Sequence, residues 1–335
     1  VPLPRGRVVA GVLATLALIP LSLTMGGTAA AAPAPRSLMF ATYNVCLVTC
    51  TAPAPSWSVR RDRVARVIEH SRSDVLSLSE ATNIKYGSIT QWEDIQHLTA
   101  PFGYVAPHID DDRCARLGCV HTARLMFKST TVQQLHFPQL PSAGFWRVGD
   151  IAPAIETEGT RQVTWAYLKS VNGTGPFLAV AVHLSTFKTA AAEQHRLAFG
   201  HAVTAWAEAM NAARGLAGAP TVLMGDFNSY QFRQPQGVQQ VLLDDGWGDA
   251  FDAPVRANIH INSINYTPTQ PSGWPRRPIY NKWRPAARID YIMFRGAVKP
   301  LTYAVVVYTN PDGNFDNAYR GSDHLMVRGR LQFGP

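Results

Sequence analysis

Asn44, Glu80, His183, Asp226, Asn228, Asp290, Asp323 and His324 are the residues of this chain best placed to do chemistry. They sit in short segments: Thr42-Tyr43-Asn44, Ser79-Glu80, Val182-His183-Leu184, Gly225-Asp226-Phe227-Asn228, Arg288-Ile289-Asp290-Tyr291 and Ser322-Asp323-His324. Each segment lies at or just past the end of an apolar, strand-like run. Strand ends in an α/β protein converge on one rim, so residues far apart in sequence can share a pocket. Hard oxygen donors with two histidines are what metal-assisted cleavage of a phosphate ester requires.

Each residue type suits a part of that chemistry. Glu80 ends the alternating run Val75-Leu76-Ser77-Leu78-Ser79, and Asn44 ends the first strand. Together they suit Mg²⁺, with Ca²⁺ or Mn²⁺ as alternatives. Asp226 and Asn228, two apart, face the same side of an extended segment. One can hold water or metal while the other donates its amide to a phosphate oxygen. Asp290 puts a charge inside an apolar run, which is costly unless it is paired, and a protonated histidine is the natural partner. Asp323 can bind metal while the adjacent His324 exchanges protons near neutral pH. His183 is a second candidate acid or base. The structural alternatives are turn caps and Asx turns for the acids and a satisfied core imidazole for His183.

The elements that must position these groups are legible from periodicity. Met39–Val45 reads as a strand and Val59–His70 as a helix, with Val64, Val67 and Ile68 on one face and arginines on the other. Asp74–Ser79 is a short buried strand. Val163–Ser170 and Phe177–Leu184 form a hairpin across Asn172-Gly173-Thr174-Gly175. Ala190–Arg214 is a long helix with Phe199, Val203, Trp206 and Met210 as its buried stripe and Gly215 as its stop. Thr221–Met224, Ile289–Phe294, Thr302–Tyr308 and Leu325–Phe333 complete the strands. Hairpins mixed with helical crossovers predict two stacked mixed β-sheets with helices outside, because several connections are too short for a crossover helix.

The chain has 335 residues, 46% hydrophobic and 16% charged, which fits a globular protein with a large core. Arg5 and Arg7, the apolar run Val8 to Leu23 and the small residues Ala29 to Ala34 have the order of a secretory signal peptide. A membrane anchor is the alternative, but the run is short and contains Gly11 and Pro20. No later segment is apolar enough to span a bilayer. Residues 1–34 therefore read as signal and cleavage region, and 37–335 as a single catalytic domain of a secreted monomer. Four cysteines in such a chain suggest two local disulfides, Cys46 with Cys50 and Cys114 with Cys119, and a zinc site is the rival. The formal charge is +8, and losing Arg5 and Arg7 leaves +6, since residues 1–34 hold no Asp or Glu. Such a protein is drawn to nucleic acid or anionic lipid.

A loop just before Asp290 interleaves Arg276, Arg277, Lys282 and Arg284 with Trp274, Tyr280 and Trp283. Its cations can hold phosphates while its rings stack on bases. The same rings can instead enter a phospholipid headgroup layer, or pack as core.

The six segments, in this order, resemble the endonuclease/exonuclease/phosphatase superfamily, which includes secreted deoxyribonucleases, abasic-site endonucleases, neutral sphingomyelinases and inositol-phosphate phosphatases. The resemblance runs from about Ser37 to Phe333. It implies a four-layer α/β sandwich and metal-dependent hydrolysis of a phosphoester. By motif, Asn44 and Glu80 would hold Mg²⁺ with Asp323 nearby, Asp226 and Asn228 would orient water and phosphate, and Asp290 would polarise His324. His183 would match the histidine that secreted nucleases and sphingomyelinases use on the leaving group. Two positions depart from the pattern. Ser79 replaces the usual Gln before the metal-binding Glu. His121 stands where deoxyribonucleases carry the Glu that pairs with the second histidine. A nuclease is the first expectation, followed by a sphingomyelinase-like phosphodiesterase, a small-phosphate phosphatase and an inactive binding module.

Overall fold

The computed structural model describes residues 37–50, 55–120, 122–153, 160–266, 274–281 and 285–334. Residues 1–34, expected from the sequence to be a signal and cleavage region, and His121, Lys282, Trp283 and Arg284 lie outside the described residues.

Strands β1 (Ser37–Asn44), β2 (Val75–Ser79), β3 (Ala123–Lys128), β4 (Ala143–Arg147), β5 (Gln162–Ser170), β6 (Phe177–His183), β7 (Thr221–Asp226), β8 (Asp290–Arg295), β9 (Val298–Val305) and β10 (Val327–Phe333) carry the architecture. They form two mixed sheets. The first runs Val255–Ala257, β9, β10, β1, β2, β3, Tyr104–Val105. The second runs Gly248–Asp249, β8, β7, β6, β5, β4, Asp111–Asp112, with Val132–Gln134 also on β5. β1 is parallel to β2 and β6 to β7, while β5–β6, β7–β8 and β9–β10 are antiparallel.

Side chains alternate across each strand, and both faces of each sheet are covered, so the strands read as almost unbroken apolar runs. Phe40, Val75, Leu125, Phe177, Val222, Met224 and Ile292 fill the space between the sheets. Tyr43, Leu76 and Leu78 point the other way, onto helices α1 (Trp57–Ser71) and α2 (Gln91–Thr99). Leu223, Val180 and Met293 meet α3 (Ala190–Ala213) and α4 (Val238–Asp244) on the far side. The result is the expected sandwich of helices, sheet, sheet and helices. Thr189 caps α3 by accepting the Ala192 N–H at 3.1 Å, and Gly215 ends it at φ +67°.

Two expectations need correction. The apolar run Thr302–Tyr308 leaves its strand at Val305, because the partner β10 begins at Val327, opposite Val305. Arg60 is not on the polar face of α1. It is fully buried and donates to the carbonyls of Val45, Cys46, Leu47, Pro55 and Gly321 at 2.8–3.1 Å. Five N–H donors in a fixed fork suit that task as no apolar side chain could.

Arg288 is a second buried cation. Its Nη1 lies 3.0 Å from Asp249 Oδ2, with the guanidinium 3.9 Å from the Phe251 ring centre. Burial pulls the guanidinium down, but Asp249 more than offsets it. Truncating one partner of such a pair strands the other charge. Arg288→Met is expected to destabilise the fold by about 3–5 kcal/mol in chemical denaturation. A change below about 1 kcal/mol would show that this pair contributes as little as a surface one.

Candidate active site

Register, not proximity in sequence, assembles the site. Asn44 ends β1 opposite Ser79 of the parallel β2, which delivers Glu80. His183 ends β6 opposite Asp226 of the parallel β7, and Asp226 faces Asp290 at the start of β8. His324 lies in the turn that enters β10, the antiparallel neighbour of β1. The candidate residues named from the motifs thus sit on one rim shared by both sheets. Gly225 is needed there: a Cβ would stand 1.8 Å from the Val182 carbonyl oxygen, in the parallel strand. Glu80 and Asn228 are held at φ +62° and +49°, a conformation seldom adopted by residues other than glycine.

Asn44 links the two halves. Its Nδ2 donates to Glu80 Oε1 and to Asp226 Oδ2, each at 3.0 Å, while Oδ1 accepts the Cys46 N–H. In this arrangement Asn44 positions two carboxylates rather than offering its oxygen outward. Glu80 Oε2 accepts the Leu47 N–H at 3.0 Å. Ser79, at the position where the superfamily usually has Gln, receives the Asp226 N–H on its hydroxyl at 3.3 Å. Asn228 donates its backbone N–H to Asp226 Oδ1 at 2.8 Å and its Nδ2 to the Leu184 carbonyl at 3.1 Å.

His324 is held between carboxylates. Its Nδ1 lies 3.0 Å from Asp290 Oδ2 and its Nε2 lies 3.8 Å from Asp226 Oδ2. Burial pulls the imidazole down, yet Asp290, with Asp226 and Asp323, outweighs burial and holds it well above the usual histidine range. Burial and the Asp290 charge push Asp226 up to about 7, against the pull of His324. His183 is the opposite case. Neither ring nitrogen has a hydrogen-bond partner among the described residues, and Nε2 sits 3.7 Å from Asp226 Oδ2 and 4.0 Å from Glu80 Oε1. Burial, then Arg161 and His324, keeps its pKa well below the usual value, so the ring is neutral at pH 7.

A divalent cation fits this donor set. Asp226 and Asp290 are buried side by side, Asp290 Oδ1 has no partner among the described residues, and burial together with the Asp290 charge raises Asp226. Asp226, Asp290 and His324 offer atoms within 4.8 Å of one another, as do Asp323, Cys46 and Cys50. The cysteines themselves are closed as Cys46–Cys50 and Cys114–Cys119, the two expected local loops, so no thiolate remains for zinc. The first disulfide lies on the loop that holds Glu80 through Leu47.

The basic-aromatic loop divides. Arg276 and Tyr280 are exposed. Arg277 is also at the surface but is tied to Asn314 Oδ1 and the Asp312 carbonyl at 3.2 and 3.0 Å. Trp274 is 6% exposed beneath the Arg320 guanidinium, 5.1 Å from the ring centre. Its indole is packed as core, so the expectation that it stacks on substrate is corrected. The motifs did not reveal Arg161, which stands just before β5 with Nη2 3.3 Å from Thr186 Oγ1 and places a cation beside His183. Nothing local in the sequence marks it, because only the β5–β6 pairing brings it there.

Residues 41–324 match the model of the endonuclease/exonuclease/phosphatase family. The chain belongs to that family. Its members are generally phosphoester hydrolases that use a divalent metal. No curated protein matches the chain significantly. Among solved structures it is similar to an endonuclease/exonuclease/phosphatase family protein from Bacteroides thetaiotaomicron, with 16% identity, a TM-score of 0.61, and coverage of 90% of this chain and 99% of that one. The mannosyl-6-phosphatase Bt3783 of the same organism gives 16% identity and a TM-score of 0.59, over 88% of this chain and 100% of that one. D. rerio TDP2 complexed with a single-strand DNA product gives 16% and 0.53, over 88% and 99%. At such identities the likeness concerns the fold.

Proposed function

We propose that this family member is a secreted, divalent-metal-dependent phosphodiesterase that hydrolyses nucleic acid, with one catalytic domain behind a cleaved signal. The observation that supports this most is the Asp290–His324 pair set against Asp226, with Glu80 bridged to Asp226 through Asn44. Glu80 and Asp323 would hold the cation, Mg²⁺ by the chemistry of the donors, with Asn44 orienting Glu80 for it rather than ligating as the motif implied. Bound there, it supplies charge neutralisation on the phosphate oxygens.

The side chains do the rest. Asp226, oriented by the Asn44 amide and the Asn228 N–H, accepts the proton of the attacking water. Asn228 turns its amide to a nonbridging oxygen. His324, charged and fixed by Asp290, donates to the departing oxygen. His183 is neutral, so it serves as a hydrogen-bond donor to phosphate rather than as an acid, and Arg161 adds a cation on that side.

The charge of +6 left after loss of residues 1–34, the exposed Arg276 and two disulfides suited to an oxidising compartment favour an extracellular polyanion as substrate. No helix among the described residues is long and apolar enough to cross a membrane. The deciding assay offers plasmid DNA, RNA and sphingomyelin vesicles side by side with Mg²⁺. Nucleic acid is expected to be cut, at a rate that falls steeply with salt. Turnover of sphingomyelin alone would transfer the protein to the phospholipid class.

A further inference from the structure

Beside Asn228 opens a cavity of about 440 Å³, a size that suits one nucleotide-sized group. We propose that it is a subsite for the nucleotide next to the scissile phosphate, holding its base between aromatic rings and its outer phosphate on cations. This inference rests on the phosphodiesterase reading above. The cavity is continuous with the reacting carboxylates, because Asn228 lines it and donates to Asp226.

Three rings line it: Phe187, 63% exposed, with Tyr266 at 42% and Tyr230 at 38%. Large aromatic surface is rarely left in water at one spot unless a ligand covers it. Lys188 and Arg233 share the wall, and none of the described lining residues is acidic. Arg233 is partly engaged, 2.9 Å from Glu193 Oε2, while Lys188 is exposed.

The charge decides between two ligands that rings can hold. A quaternary ammonium headgroup also sits well among aromatic side chains. Here it would meet Lys188 and Arg233, while the nearby carboxylates are already engaged, Glu193 by Arg233 and Asp226 by Asn44 and Asn228, so the cavity opposes choline. A nucleobase gains from stacking on the same rings, and its flanking phosphate gains from the cations.

The test compares kcat/KM for a short single-stranded oligothymidylate with that for an abasic oligomer of equal length and charge. Wild-type protein is expected to prefer the base-bearing strand by about tenfold or more. In a Phe187→Ala/Tyr266→Ala double variant this ratio should fall towards one. A wild-type ratio near one, or a ratio that the double variant leaves intact, overturns the subsite. A binding measurement separates it from the parent reading. With His324→Ala, deoxyadenosine 5′-monophosphate should bind saturably and weaken about tenfold on adding Phe187→Ala. Such binding upholds the subsite even where no cleavage is detected. Nucleic-acid cleavage without saturable nucleotide binding removes the subsite and leaves the function standing. Displacement by phosphocholine in place of the nucleotide also removes it.

Discussion

Replacing His324 by alanine is expected to lower kcat by about 10²–10⁴-fold with the fold intact. The imidazole is clamped by Asp290 at 3.0 Å on one nitrogen and presents the other to Asp226 at 3.8 Å. Its loss removes the charged donor and leaves the buried Asp290 without its partner. Asp226→Ala should cost as much, since Asp226 receives Asn44, Asn228 and the reacting water. Circular dichroism and thermal melting establish that each variant is folded, and steady-state hydrolysis of a fluorogenic oligonucleotide reads the loss. Near-normal turnover in either variant would remove that residue from the reaction and with it the proposed mechanism.

Chelation is expected to have an effect at least as large. Several kcal/mol of transition-state stabilisation are assigned to a bound cation, so EDTA should slow hydrolysis by about 10³-fold or more, and excess Mg²⁺ should restore it. Glu80→Gln tests where the ion sits. The amide can still accept from Leu47, but the charge is gone, so the Mg²⁺ concentration for half-maximal rate should rise at least about tenfold. Full activity in EDTA refutes the metal requirement. An unchanged Mg²⁺ response in Glu80→Gln instead moves the ion to other ligands.

The shared rim was readable because each acidic or imidazole group stands at one terminus of an apolar run, Asp226 at the end of β7 and Asp290 at the start of the antiparallel β8, and such termini gather at one edge. The two-sheet sandwich followed from strands too apolar to face water and from connections too short for crossovers. Arg60 and Trp274 were misread for a shared reason. A long basic side chain in a helix, or an aromatic one in a basic loop, is assigned by its neighbours in sequence. The structure decides their fate through distant partners, the carbonyls of Val45–Leu47 and Gly321 for one and Arg320 for the other. Arg161 was hidden likewise, since its nearness to His183 is a product of strand pairing. The family model covers residues 41–324, the stretch that holds the motifs from Asn44 to His324.

Arg60 ties the loop after β1 to Gly321, and Ser322 donates to the Asn44 carbonyl at 2.7 Å, so the first and last segments of the centre interlock. The loop after β1 therefore completes its contacts only once the Gly321–Ser322 segment is in place. A polypeptide clipped before Gly321 would lose one of the five carbonyls that hold Arg60 as well as His324. The proposed centre is therefore assembled only when the segment from Gly321 to His324 has joined the loop after β1.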